Sequence, residues 1–181
     1  AECPQGYWES GALAERIDAY YRAVHGVAPG PSRIVLTLGA SAALVLAMSV
    51  LFSPGARVAL PRPGYPAHRN SLIALGLEPV ELDCDATTRF QPTAAMVAAL
   101  DPAPDGLILT SPSNPTGTLI PDAELAAIAR VCAMRGIRIL SDETYHGITY
   151  GQRARTLLEY APEAVVVNTF SKYWCMTGWR L

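Results

Sequence analysis

The sequence predicts an α/β domain: a three-layer α/β/α stack around a mainly parallel sheet. Two observations carry this reading. Short apolar runs rich in β-branched residues alternate with segments whose apolar residues recur at helical spacing. Half of the 181 residues are apolar, enough for one sizeable core.

The elements follow in order. Leu13–Val24 carries apolar residues at helical spacing, and Ile34–Leu38 reads as the first strand. Ser41–Leu51 is apolar nearly all round, the pattern of a helix buried behind the sheet. Strands are expected at Arg57–Pro61, Pro79–Leu82, Leu107–Thr110, Ile137–Leu140 and Val165–Asn168. Between them, Ala67–Leu75 and Thr93–Leu100 read as short helices. Asp122–Arg135 is the clearest helix, because Leu125, Ile128 and Cys132 share a face and Gly136 can end it. No repeat or low-complexity linker interrupts the chain, so residues 1–181 are read as one domain.

Composition removes several function classes. A formal net charge of −2 offers no basic footprint for nucleic acid and no polybasic stretch for a membrane surface. No apolar run approaches the ~18 residues of a membrane span. Cys3, Cys84, Cys132 and Cys175 are scattered, and His25, His68 and His146 show no metal-ligand spacing. The thiols read as reduced, which places the protein in the cytoplasm. The glycines form neither a dinucleotide fingerprint nor a P-loop. A small-molecule partner remains.

Of the fourteen Lys and Arg residues, Lys172 is the one lysine. Arginine stays protonated and cannot act as an amine nucleophile, so a lone lysine can mark a site that needs one. Ligands of open α/β sheets sit beyond the carboxyl ends of the strands. The loops there carry Gly39-Ala40-Ser41, Pro63-Gly64-Tyr65-Pro66, Ser113-Asn114-Pro115-Thr116-Gly117, Asp142-Glu143-Thr144-Tyr145 and Thr169-Phe170-Ser171-Lys172. Taken singly, these are routine turns and helix starts. Together they supply what a pyridoxal ring needs. Lys172 is an amine for a Schiff base, and Asp142 a carboxylate for the ring nitrogen. Asn114 and Tyr145 can donate to the phenolic oxygen, while the start of the helix at Gly39, Ala40 and Ser41, with Arg180, can take a phosphate.

On Asn114-Pro115-Thr116-Gly117, Asp142-Glu143-Thr144-Tyr145 and Ser171-Lys172 followed by Gly178-Trp179-Arg180, the chain resembles the large domain of class I/II aminotransferases, pyridoxal 5'-phosphate enzymes of fold type I. The resemblance covers nearly the whole chain. It implies a homodimeric enzyme that transfers an amino group from an amino acid to a 2-oxo acid, with Lys172, Asp142 and Tyr145 catalytic. It further implies that Tyr65 stacks on the cofactor ring, that Thr144 packs on its other face, and that Thr169 and Ser171 bind its phosphate. Thr144 departs from the small or branched apolar residue usual there. Tyr7 resembles a tyrosine that reaches the neighbouring subunit's phosphate. The family continues into a smaller C-terminal domain and begins with an N-terminal arm, neither of which is in this sequence, so a large-domain fragment is expected. A lyase or decarboxylase of the same fold, or an aminotransferase-like domain of a cofactor-sensing transcriptional regulator, would share these motifs.

Overall fold

In the computed structural model, which describes residues 10–181, five strands form one parallel sheet. They are β1 (Arg57–Arg62), β2 (Glu78–Asp83), β3 (Gly106–Thr110), β4 (Arg138–Asp142) and β5 (Val165–Val167), in the order β2-β1-β3-β4-β5. β1 therefore has its sequence successor on one side and β3 on the other. That reversal opens a crevice at the carboxyl ends of the strands, where such sheets bind ligands. The register aligns these ends, with Thr110 beside Asp142 and Asp142 beside Val167.

Side-chain alternation divides the core into two layers. Ala59, Leu82, Leu107, Leu109 and Ile139 point to one face, which is covered by α4 (Ala94–Ala98), α5 (Asp122–Arg135) and a helical turn at Leu157–Glu159. Val58, Leu60, Ile108, Leu140 and Val167 point to the other, covered by α2 (Ala40–Leu51) and α3 (Pro66–Ala74). This is the expected three-layer α/β/α arrangement.

Local chemistry ends the helices where it should. α1 (Gly11–His25) begins with the Ser10 hydroxyl accepting from Leu13 N–H at 3.3 Å and stops at Gly26, φ 72°. α5 runs from Pro121 to Gly136, φ 68°. The Arg135 guanidinium then reaches across to the end of α4, donating to the carbonyls of Val97 (2.7 Å), Ala98 (3.0 Å) and Leu100 (2.6 Å). Gly106 opens β3 because the Phe52 ring fills the space of a side chain there: a Cβ would lie 2.2 Å from Phe52 Cζ.

Two expectations are corrected. Ile34–Leu38 is not a strand: no described strand pairs with it, and Val35 and Leu38 are 68% and 77% exposed. β-branched residues had the propensity but found no partner ladder. α2 is not buried all round either. Leu44 and Met48 face the sheet, while Val45, Leu46 and Val50 are exposed. No described helix is long and apolar enough to cross a membrane.

Candidate functional site

The strand-end loops converge on a cavity of about 240 Å³. α2 contributes Ala40, Ser41 and Leu44, and the turn after β1 contributes Tyr65. Asn114 follows β3, Asp142 ends β4, and Thr144 and Tyr145 follow it. The segment after β5 brings Thr169, Ser171, Lys172, Thr177 and Arg180. All the residues singled out in the sequence line this cavity except two. Gly39 stands at its rim beneath Arg180, and Tyr7 lies outside the described residues.

Asp142 is buried, and its carboxylate is held from two sides. One oxygen meets His68 Nε2 at 3.0 Å and the other accepts from Thr144 N–H at 3.1 Å. Burial alone would raise its pKa, but the hydrogen bond and charge of His68, with the Thr144 bonds, outweigh it and hold the carboxyl below its ordinary value. His68 is itself buried, and the Tyr65 ring meets it edge-on with centroids 5.4 Å apart. Tyr65 thus leans on the buried partner of Asp142.

On the opposite wall, Asn114 Nδ2 donates to the Tyr145 hydroxyl at 3.3 Å, and Lys172 Nζ stands 6.0 Å from the centre of the Tyr145 ring. The phosphate-like end is built from backbone and cation. Gly39 has φ 81°, and a Cβ there would lie 2.7 Å from Arg180 Nη2, so the guanidinium lies against the first turn of α2 because the residue is glycine. The Arg180 guanidinium is steadied by donating to the Thr177 carbonyl at 3.2 Å. Thr169 lines the cavity, but its hydroxyl donates to the Leu181 carbonyl at 2.6 Å and lies 3.1 Å from the Ser171 hydroxyl. Both hydroxyls therefore already hold partners.

Behind the pocket is a buried polar cluster. Glu143 is pushed up to about 8 by burial, against hydrogen bonds from Leu157 N–H, Thr156 and Ser141 that pull it down. His146 is pushed down to about 4, by burial and then by His25. His25 is also pushed down to about 4, by burial and then by Arg153 and Arg155. Next to the lysine, the Tyr173 ring lies on Gly147, where a Cβ would come within 2.5 Å of ring carbon Cγ.

Sequence reasoning missed Leu44 and Thr177 as wall residues, and His68 as the buried partner of Asp142 behind the wall. The signal for His68 is its place three residues after Tyr65 at the start of a helix, on the same side. A larger concavity, about 410 Å³, lies between Leu119–Asp122 and Gln152–Arg155. Its charged groups pair among themselves, with Arg155 on Asp122 at 3.1 Å and on Glu159 at 2.8 Å. It holds no amine, so the smaller cavity is the better candidate for chemistry.

Residues 6–181 match the family model for aminotransferase class I and II. The chain is 49% identical over 171 residues to a valine–pyruvate aminotransferase of Mycobacterium tuberculosis, covering 93% of this chain and 44% of that protein. It is 32% identical to an aspartate aminotransferase of Geobacillus stearothermophilus, covering 94% of this chain and 45% of that protein. The crystal structure of an aminotransferase from Mycobacterium tuberculosis superposes with a TM-score of 0.93 at 47% identity, over 97% of this chain and 46% of that one. The chain thus spans less than half the length of these relatives.

Proposed function

The chain belongs to the class I and II aminotransferase family, and on that premise we propose that it forms the pyridoxal 5'-phosphate pocket of an enzyme transferring an amino group from an amino acid to a 2-oxo acid. The observation that carries the reading is a single cavity shared by the chain's one lysine and a buried aspartate held by His68.

The donor set fits this cofactor. Lys172 would hold its aldehyde carbon, Asp142 its ring nitrogen, and Asn114 and Tyr145 its phenolic oxygen. Tyr65 and Thr144 suit the two ring faces. Ala40, Ser41 and Arg180, with Gly39 leaving room for the guanidinium, suit the phosphate. Thr169 and Ser171 would have to exchange their present hydrogen bonds to join them. When bound, the cofactor supplies an aldehyde that condenses with amines and a ring that withdraws electrons. Asp142 would hold a proton on the ring nitrogen, and His68 braces the carboxylate for that role with its contact at 3.0 Å. Lys172, as the amine in the pocket, would be the group placed to take the proton from the substrate's α-carbon. Tyr145, fixed by Asn114, orients the lysine's wall of the pocket.

A homodimer suits the exposed Val45, Leu46 and Val50 face of α2. Unpaired thiols at Cys84, Cys132 and Cys175 suit the reducing cytoplasm. Valine with pyruvate is the first substrate pair to assay, since the 49% identical relative is named for it. The decisive test is incubation with the cofactor, borohydride reduction and peptide mass spectrometry, on the wild type and Lys172→Ala. A visible absorbance band and a pyridoxyl group on Lys172, both missing from the variant, are expected. Folded wild type with no pyridoxyl group on Lys172 refutes the reading.

A further inference from the structure

Glu143 and His146 flank Tyr145, yet both point away from the pocket into the protein, each 2% exposed at its side chain. Their oxygen and nitrogen atoms have unequal surroundings. Glu143 Oε1 meets only donors: Leu157 N–H at 2.8 Å, Thr156 Oγ1 at 3.1 Å and Ser141 Oγ at 3.2 Å. Glu143 Oε2 has no hydrogen-bond partner and stands 3.4 Å from His146 Nδ1, which has none either. His146 Nε2 lies 3.0 Å from the Ser111 carbonyl oxygen, which can only accept, so Nε2 carries a hydrogen. Oε1 takes every available donor, so the unpartnered Oε2 and Nδ1 are left to share one proton between them.

The alternative, a carboxylate beside an imidazolium, would bury two charges. Burial opposes both. His146 stacks on the His25 ring at 5.6 Å, and Arg153 Nη2 sits 3.3 Å from His25 Nδ1, so cationic His146 would face a guanidinium through one ring. The carboxylate of Asp142 adjoins Glu143 and opposes a second negative charge there. We propose that Glu143 is a neutral acid whose single proton bridges to His146, and that this uncharged pair is the positioning device for Tyr145.

The pair works through the loop after β3. Asn114–Tyr145 ties that loop to the loop after β4 on the pocket side, and Ser111–His146 ties the same two loops on the buried side. A proton held between Glu143 and His146 fixes the imidazole with Nε2–H aimed at Ser111, and so fixes the spacing at which Asn114 meets Tyr145. The proton shared by Glu143 and His146 does not depend on the pocket reading above, whereas the positioning of Tyr145 rests on it.

The test needs no cofactor, so its failure and that of the pocket reading are separable. In the wild-type chain at neutral pH, nitrogen NMR should show His146 protonated at Nε2 and bare at Nδ1, and infrared difference spectra should show a protonated carboxyl that Glu143→Gln removes. Glutamine keeps an acceptor for Leu157 and a donor for His146, so this variant should retain the His146 tautomer and the Asn114–Tyr145 nuclear Overhauser contact. Glu143→Leu should lose that contact and lower the folding equilibrium constant about tenfold or more, the cost of stranding buried polar partners. A doubly protonated His146 overturns the proton assignment. Loss of the Asn114–Tyr145 contact in folded Glu143→Gln, or its persistence in Glu143→Leu, overturns the positioning role.

Discussion

Replacing Gly147 by alanine separates two effects that the structure superposes. Gly147 has φ 89°, a conformation costing an L-residue about 1–2 kcal/mol. Its missing side chain also makes room for Tyr173: a Cβ would meet Cγ, Cδ2 and Cδ1 of that ring at 2.5, 2.7 and 2.8 Å. Three atoms of one ring at nearly equal distance mean that the ring lies flat on the glycine. Overpacking of this kind costs about 1–3 kcal/mol in a closed core. Tyr173 is 47% exposed and can swing outward, so the steric part should fall near the lower end. We expect about 2–3 kcal/mol in all, read by urea denaturation followed by circular dichroism. In a Tyr173→Ala background the steric part vanishes and the backbone part stays, giving a coupling of about 1 kcal/mol between the sites. Because Tyr173 follows Lys172, the single variant should also lose borohydride-fixed pyridoxyl at Lys172. A Gly147→Ala cost that is the same with and without the Tyr173 ring refutes the argument.

Other outcomes follow from the same geometry. Between pH 4.5, the ordinary Glu value, and about 8, native Glu143 binds more protons than the unfolded chain, so it makes stability fall as pH rises. Between about 4 and the ordinary His value of 6.5, native His25 and His146 bind fewer, so they make stability rise. Unfolding free energy should therefore peak near pH 6.5 and decline toward 8, and Glu143→Gln should abolish the decline; a wild-type profile still rising at pH 8 contradicts this. His68→Leu removes the buried partner of Asp142 and should weaken cofactor binding about tenfold, as measured by equilibrium dialysis; unchanged binding would separate His68 from the site. Gly106→Ala drives a methyl into the Phe52 ring and should destabilise by about 1–3 kcal/mol, with most of the loss recovered by Phe52→Leu. Arg135→Ala strips three carbonyls at the end of α4 and should cost about 1–3 kcal/mol; a change within error would mean that water replaces the guanidinium.

Most of the sheet was legible because its signals are local. Pro121 and Gly136 bracket the Asp122–Arg135 helix, and its bounds coincide with those read from the sequence. Each paired strand shifts by one or two residues at an end, as ladders extend or fray beyond their apolar centre. Ile34–Leu38 has the same local signal but no neighbour to pair with, and pairing is not written in five residues. The apolar surface of α2 likewise gave no hint of which side would meet the sheet. The cavity was legible because most of its walls are short contiguous strings, at the start of α2 and after β1, β3, β4 and β5. His68 was not, because its partner Asp142 lies 74 residues away. The same distance effect hides the seating of His146 on Ser111, 35 residues apart, and of His25 against Arg153, 128 apart.

The cavity walls and the two apolar layers share few residues: Leu44 is a member of the layer beneath α2 and α3, and Ala40 packs against it. The remaining wall residues belong to neither layer. Changes at Tyr65, Asn114, Thr144 or Thr177 can therefore alter how the pocket holds its cofactor while drawing little on folding stability. Leu44 is the exception, a point where altered binding and thermal tolerance would have to evolve together. A library randomised at the wall but sparing Leu44 and Ala40 should keep a higher folded fraction than one that includes them.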